Sequence, residues 1–277
     1  MSAPVKLYRT AGGPVVEMDG AFVRLEEEWD PLVNRAGLGD HLREAGARGR
    51  REPALGEPPL APVAGQEIWG AGVTYQRSLT ARLEESEAAG GGNFYDRVYQ
   101  AERPELFFKC AGWRARGPGA PVRIRGDARW SVPEPELAVC VNARGEVVGY
   151  TIGNDLSARD IEAENPLYLP QAKIWDGGCS LGPALLVGEE PLPPETTIAL
   201  TIVRAGGVAF QGSTTLAQMR RTPEELTAYL YREISFPAGC ILLTGTGIVP
   251  PAEFALQAGD EIEIQVPPIG TLKNRVT

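Results

Sequence analysis

Histidine is nearly absent from this chain: of 277 residues, only His41 is one. A serine–histidine–aspartate triad, or a zinc site built on several histidines, would have to use it. It lies in GDHLREAG, a polar stretch expected to form a surface helix. Cysteine is scarce as well. Cys110, Cys140, Cys179 and Cys240 are widely spaced with no C-x-x-C, and three of them flank apolar runs. Buried, reduced thiols are expected, not disulfides or zinc ligands. Positive charge is in deficit, with 27 Lys and Arg against 36 Asp and Glu and a formal net charge of −9. That balance argues against a nucleic-acid footprint or an anionic membrane surface. No apolar run approaches the roughly 20 residues of a membrane span, and MSAPVKLYRTAGG lacks the apolar core of a secretory signal. The expectation is a cytoplasmic protein whose partner is a small molecule.

Glycine (33) and proline (24), by contrast, are abundant, so short strands and many turns should outnumber long helices. Residues 1–30 alternate apolar and polar side chains between glycine turns. A short helix and the proline-rich REPALGEPPLAPVAG follow. We read residues 1–60 as a small N-terminal α+β domain and 61–277 as the main domain, mostly β with some α. After the strand EIWGAGVTY, residues 76–104 carry helical spacing broken by three glycines at 90–92, a hinged segment able to act as a lid. Strand patterns then dominate, including ELFFK, ELAVCV, EVVGYTIGND, GCILLTGTG and DEIEIQV. One helix interrupts them, TPEELTAYLYREI. Thr222 is its expected N-cap and Glu225 the partner in a capping box. Leu226, Tyr229, Leu230 and Ile234 form its expected buried stripe.

Chemistry gathers in four places. In VPEPELAVCV, Glu134 and Glu136 are two apart and so share one face of a strand. Two adjacent carboxylates repel unless something cationic neutralises them, and a hard divalent cation does so with oxygen ligands. A strand return through ARGE would bring Asp155, in NDLSARD, back beside them, making three carboxylates. Asp160 and Glu162 are expected to bond Arg159 or cap the following helix. Lys173 stands in the apolar, glycine-rich PQAKIWDGGCSLGP, where a neighbouring cation would favour its neutral, basic form. LLTGTGIVPP offers glycine N–H groups and the hydroxyls of Thr244 and Thr246 to an anion such as a substrate carboxylate.

The order E-x-E-L, N-D-x-S-A-R-D, K-x-x-D-x-x-x-x-L-G-P, L-L-T-G-T-G, G-D-x-I-x-I resembles the fumarylacetoacetate hydrolase superfamily over roughly residues 66–277. The resemblance implies a mixed β-roll fold and a homodimer or homotetramer. It implies Mg²⁺, with Mn²⁺ as the alternative, held by Glu134, Glu136 and Asp155. It also places Lys173 beside the metal and Thr246, with Gly245 and Thr244, at the substrate. Hydrolases of the family carry G-x-N-Y-x-x-H-x-x-E, whose His and Glu activate water. The matching GVTYQRSLTA has Thr74, Ser78 and Ala81 at the Asn, His and Glu positions. A branch without that dyad dehydrates 2-keto-3-deoxy sugar acids, and ERPELFFK resembles that branch. It implies Glu105 as a second catalytic residue, with Lys109 and Ser78 near the substrate. Two other readings stay open: an acylpyruvate hydrolase or oxaloacetate decarboxylase of the same superfamily, and a non-catalytic ligand-binding member.

Overall fold

Alternating apolar residues set which face of each strand is buried, and long-range pairing sets which strands meet. The computed structural model describes residues 4–88 and 94–277. The strands in chain order are β1 (Val5–Thr10), β2 (Gly13–Met18), β3 (Ala21–Arg24), β4 (Arg51–Glu52), β5 (Glu67–Gly72), β6 (Glu105–Ala111), β7 (Ser131–Val132) and β8 (Pro135–Val141). They continue with β9 (Val147–Asp155), β10 (Ser157–Ala158), β11 (Cys179–Val187), β12 (Thr197–Arg204), β13 (Gly207–Thr215), β14 (Cys240–Leu243), β15 (Glu261–Val266) and β16 (Gly270–Arg275). The helices are α1 (Trp29–Val33), α2 (Leu38–Arg48), α3 (Gln76–Ala88), α4 (Phe94–Gln100), α5 (Arg159–Glu164), α6 (Leu169–Lys173) and α7 (Pro223–Leu230). The fold is therefore mostly β with some α, as the sequence led us to expect.

Ten strands form one sheet in the order β4-β3-β2-β1-β11-β9-β8-β14-β5-β6. Of its pairs, β14 with β5 is parallel and the others are antiparallel. A four-stranded sheet, β13-β12-β15-β16, covers one face. Leu137 and Val139 of β8 and Ile152 of β9 pack there against Ile198 and Leu200 of β12 and Ile262 and Ile264 of β15. The opposite face of β8 presents Ala138 and Cys140. These join Ile241, Leu243, Ile68 and the N-terminal Leu7, Val16, Leu38 and Leu42 in a second core. Each such fully buried aliphatic side chain is worth about 1.5–3 kcal/mol. The sheet runs across the expected boundary near residue 60, because β1 pairs antiparallel with β11, Leu7 opposite Leu185.

The expected helix after Thr222 is present but shorter. Thr222 Oγ accepts the Glu225 N–H at 3.2 Å, and the helix ends at Leu230. The Glu225 carboxylate takes Arg221 instead of closing a capping box. Leu226 and Leu230 are buried, but Ile234 is 40% exposed, since Phe236 beyond the helix end fills the space against Trp69 and Tyr231. Helices α3 and α4 occupy the expected excursion between β5 and β6. The glycine hinge at 90–92 lies outside the described residues. The four cysteines are all buried and free. His41 bonds Glu27 at 2.6 Å, far along the chain from the acidic residues.

Candidate active site

The hairpin β8–β9 builds the acidic group. Glu136 pairs with Gly153, Pro135 with Asn154, and the Asp155 N–H bonds the Glu134 carbonyl at 2.9 Å. Residues opposite each other in a ladder point to the same face. Asp155 and Glu134 therefore project together, with Glu136 two residues along, and the missing side chain of Gly153 leaves room for Leu243. Oxygens of Glu134, Glu136 and Asp155 lie within 4.8 Å of one another, and all three residues are buried. Such an all-oxygen set fits a hard divalent cation. Burial raises the Glu136 carboxyl well above the usual carboxylate range, and the charges of Asp155 and Glu134 raise it further. The Lys173 charge and the Gly245 N–H oppose that rise. A divalent cation at these oxygens would supply the counter-charge that this carboxyl lacks.

Two buried lysines grip Asp155 from opposite sides. Lys173, at the last position of α6, donates to Glu134 Oε2 at 2.7 Å, Asp155 Oδ2 at 3.0 Å and Ser157 Oγ at 2.6 Å. Its ammonium also stands 5.4 Å from the centre of the Phe107 ring, a favourable place for a cation. Lys109 pairs with Asp155 Oδ1 at 2.5 Å and donates to the carbonyls of Leu156 and Lys173. The second of these carbonyls ends α6, where a helix has no N–H donor of its own to offer it.

A small cavity opens over the carboxylates. Glu134, Glu136, Asp155, Lys173, Glu105, Phe107, Ser78, Gly245 and Thr246 all line it. Glu105 reaches it from the first position of β6, opposite Gly72, which has no Cβ to block the carboxyl. Val73, also in the lining, adopts φ 53°, a costly left-handed backbone for a β-branched residue. It is held there between Gly72 and Thr74, whose hydroxyl donates to the Thr244 carbonyl at 2.6 Å.

Lys109 and Thr244, expected at the substrate, stand behind the cavity wall. Lys109 is 1% exposed and its amine is consumed by Asp155 and two carbonyls. Thr244 is fully buried, with its hydroxyl on the Leu137 carbonyl at 2.8 Å. The Gly245 N–H, expected to meet a substrate anion, is donated to Glu136 Oε2. Thr246 keeps its place in the lining, its Oγ accepting the Ile248 N–H at 3.2 Å. Ser78 donates its hydroxyl to the Tyr75 carbonyl at 2.8 Å.

Two charged lining residues were not expected from the sequence. Arg159 is 1% exposed and bonds Glu134 Oε1 at 2.9 Å, a partner not expected for it. Asp160 instead accepts the Arg129 N–H at 2.8 Å. Glu162, three residues on from Arg159 on α5, is also buried and lines the cavity. The helical i, i+3 spacing of Arg159 and Glu162 was the available signal, since it puts both on one face.

The family described as fumarylacetoacetate hydrolase C-terminal matches residues 67–277. A Haloferax volcanii protein named probable 2-keto-3-deoxyxylonate dehydratase is 48% identical over 217 residues, 78% of this chain and 74% of that protein. The 2-dehydro-3-deoxy-D-arabinonate dehydratase of Saccharolobus solfataricus is 46% identical over 213 residues, 76% of this chain and 72% of that one. Among solved structures, 2-keto-3-deoxy-D-arabinonate dehydratase complexed with magnesium and 2,5-dioxopentanoate superposes with a TM-score of 0.82 at 34% identity. The match covers 99% of this chain and 98% of that one.

Proposed function

The chain belongs to the fumarylacetoacetate hydrolase family, and from that premise we propose that it is a metal-dependent hydro-lyase that dehydrates 2-keto-3-deoxy sugar acids. The observation that carries this reading is the Lys173 amine, bonded to two of three buried carboxylates in a cavity whose lining contains no histidine. A base stands beside a metal-competent group, and Thr74, Ser78 and Ala81 take the positions where hydrolases of the family activate water. Elimination needs no attacking water.

Glu134, Glu136 and Asp155 would hold Mg²⁺, or Mn²⁺ in its place. When bound there, the cation would engage the 2-oxo and carboxylate oxygens of the substrate and acidify its C3 protons. Arg159 fixes the Glu134 carboxylate from the cavity wall, and Lys109 fixes Asp155. Thr246 and Ser78 face the substrate. Lys173 removes a C3 proton, and Glu105 protonates the C4 hydroxyl as it leaves as water.

For a five-carbon acid, one water leaves in all, and the C5 oxygen stays. The elimination product is a 5-hydroxy-2-oxo-3-enoate. A proton then leaves C5, one returns to C3, and the resulting enol closes to the aldehyde of 2,5-dioxopentanoate. Glu162 lines the cavity but is outside the group that could hold the metal, and it is the carboxylate we place at C5. In Glu162→Gln we expect aldehyde formation to slow by about a hundredfold, while a conjugated enone accumulates and absorbs in the ultraviolet. Aldehyde that still appears as fast as substrate disappears would remove Glu162 from this step.

The reading as a whole is tested by supplying Mg²⁺ and comparing release of 2,5-dioxopentanoate from 2-keto-3-deoxypentonates with release of pyruvate from acylpyruvates and oxaloacetate. Turnover of the sugar acids alone is the expected result. Turnover confined to acylpyruvates would make the protein a hydrolase, and metal binding without any turnover would make it a binding protein. A cytoplasmic homodimer or homotetramer, with residues 1–60 as a smaller unit beside the catalytic one, completes the proposal. Sedimentation and limited proteolysis test its last two parts.

A further inference from the structure

We propose that Arg221 is a positioning residue that sets Glu105 over the substrate by clamping the return end of the helical excursion. This rests on the role given to Glu105 above.

The excursion leaves the sheet after Gly72 and rejoins it at Glu105, and those two residues are paired. One short segment, Met219 to Arg221, ties down both of its feet. At the outgoing foot, Met219 bridges Tyr75, and the Arg220 N–H bonds the Thr74 carbonyl at 2.9 Å. At the returning foot, Arg221 is 5% exposed and spreads its guanidinium over carbonyls at and just beyond the end of α4. It reaches Val98 in the last turn at 3.2 Å, and Ala101 at 2.6 Å and Glu102 at 3.2 Å just beyond the helix end. The final carbonyls of a helix have no partner within it, and they form the negative end of its dipole. A planar fork of donors satisfies several of them at once in one fixed plane. Glu225, 2.6 Å from Arg221, balances the buried charge.

Glu102 precedes Glu105 by three residues, one of them Pro104, whose ring fixes its φ. Tyr229 donates its hydroxyl to the Glu102 carboxylate at 3.1 Å and stands under Arg103. The link from the clamp to Glu105 is thus short and stiff. Arg221 does not line the cavity, so it touches neither substrate nor metal and acts through Glu105. A misplacement of about 1 Å in a reacting group can cost on the order of a hundredfold in rate.

The test is a cycle of Arg221→Ala and Glu105→Gln, read as kcat at saturating Mg²⁺. It is accompanied by exchange of C3 protons with deuterated water in a 2-oxo acid lacking a C4 hydroxyl. Arg221→Ala should lower kcat about 10- to 100-fold while C3 exchange, which does not use Glu105, stays near that of the parent protein. In the Glu105→Gln background the same change should cost less than about twofold, as expected for residues acting as a unit. Equal losses in both backgrounds, or an equal fall in C3 exchange, would show a general structural effect and overturn the inference alone. No loss at all would also overturn it. A Glu105→Gln protein with full kcat would overturn the reading of Glu105 and this inference with it. If Arg221→Ala does not fold, Glu225→Gln leaves the arginine in place without its counter-ion. It should then show a smaller loss that again disappears in the Glu105→Gln background.

Discussion

Replacing Glu136 by glutamine is expected to make the metal-free protein more stable while removing its response to Mg²⁺. The carboxyl is buried, and both burial and the charges of Asp155 and Glu134 raise it above its ordinary value of 4.5. In the metal-free protein the folded chain keeps a proton there that the unfolded chain releases. Stability from this group is therefore complete below about pH 4.5 and falls as the pH rises, until the folded carboxyl has ionised too. Glutamine has nearly the same shape, its carbonyl can still accept the Gly245 N–H, and it carries no charge to bury. Removing the cost of holding that proton above about pH 4.5 should therefore raise the melting temperature by a few degrees.

Added Mg²⁺ reverses the slope in the parent protein, because it binds only the ionised carboxylates. Thermal melts between pH 5 and 8, with a chelator or with Mg²⁺, therefore separate the two forms. The parent should lose stability with rising pH in chelator and gain it in Mg²⁺. Glu136→Gln should show neither change, and its affinity for the ion should fall by more than about a hundredfold. Turnover would be lost with it. A glutamine variant stabilised by Mg²⁺ as strongly as the parent would refute the carboxylate group as the metal site.

These carboxylates were legible because their geometry is local. Period-two alternation puts Glu134 and Glu136 on one face, and a tight return through Ala143 to Glu146 brings back Asp155. What local pattern could not supply was depth. Glu105, Phe107 and Lys109 share one parity on β6, yet Lys109 lies farther along the strand and beneath Asp155, where it cannot meet a substrate. A register shift opposite Ile68 and Trp69 falls at this point. The pairing of β1 with β11 joins residues about 180 apart in the chain, so nothing within the first 60 residues announced it. The orientation of α5 likewise depends on what it packs against, which is why Glu134 was not foreseen as a partner of Arg159. The missing histidine was legible at once, and it bears directly on the reaction.

Replacing Lys173 by methionine should abolish turnover and leave metal binding intact or tighter. Methionine keeps most of the length of the side chain, so the space beside Phe107 stays filled. It removes the three donors that now hold Glu134, Asp155 and Ser157. A bound cation competes with the ammonium for two of those carboxylates and repels it, and both effects favour the neutral amine. That is the form able to take a proton, and losing a positioned base costs about 10²- to 10⁴-fold. With the competing ammonium gone, calorimetry should show Mg²⁺ affinity equal to that of the parent protein or greater. The decisive measurement is again C3 exchange in deuterated water on a 2-oxo acid without a C4 hydroxyl. The parent and Glu105→Gln should both exchange, and Lys173→Met should not. Exchange that survives in Lys173→Met but vanishes in Glu105→Gln would reverse the two roles. Lys173 would then protonate the departing hydroxyl and Glu105 would take the C3 proton.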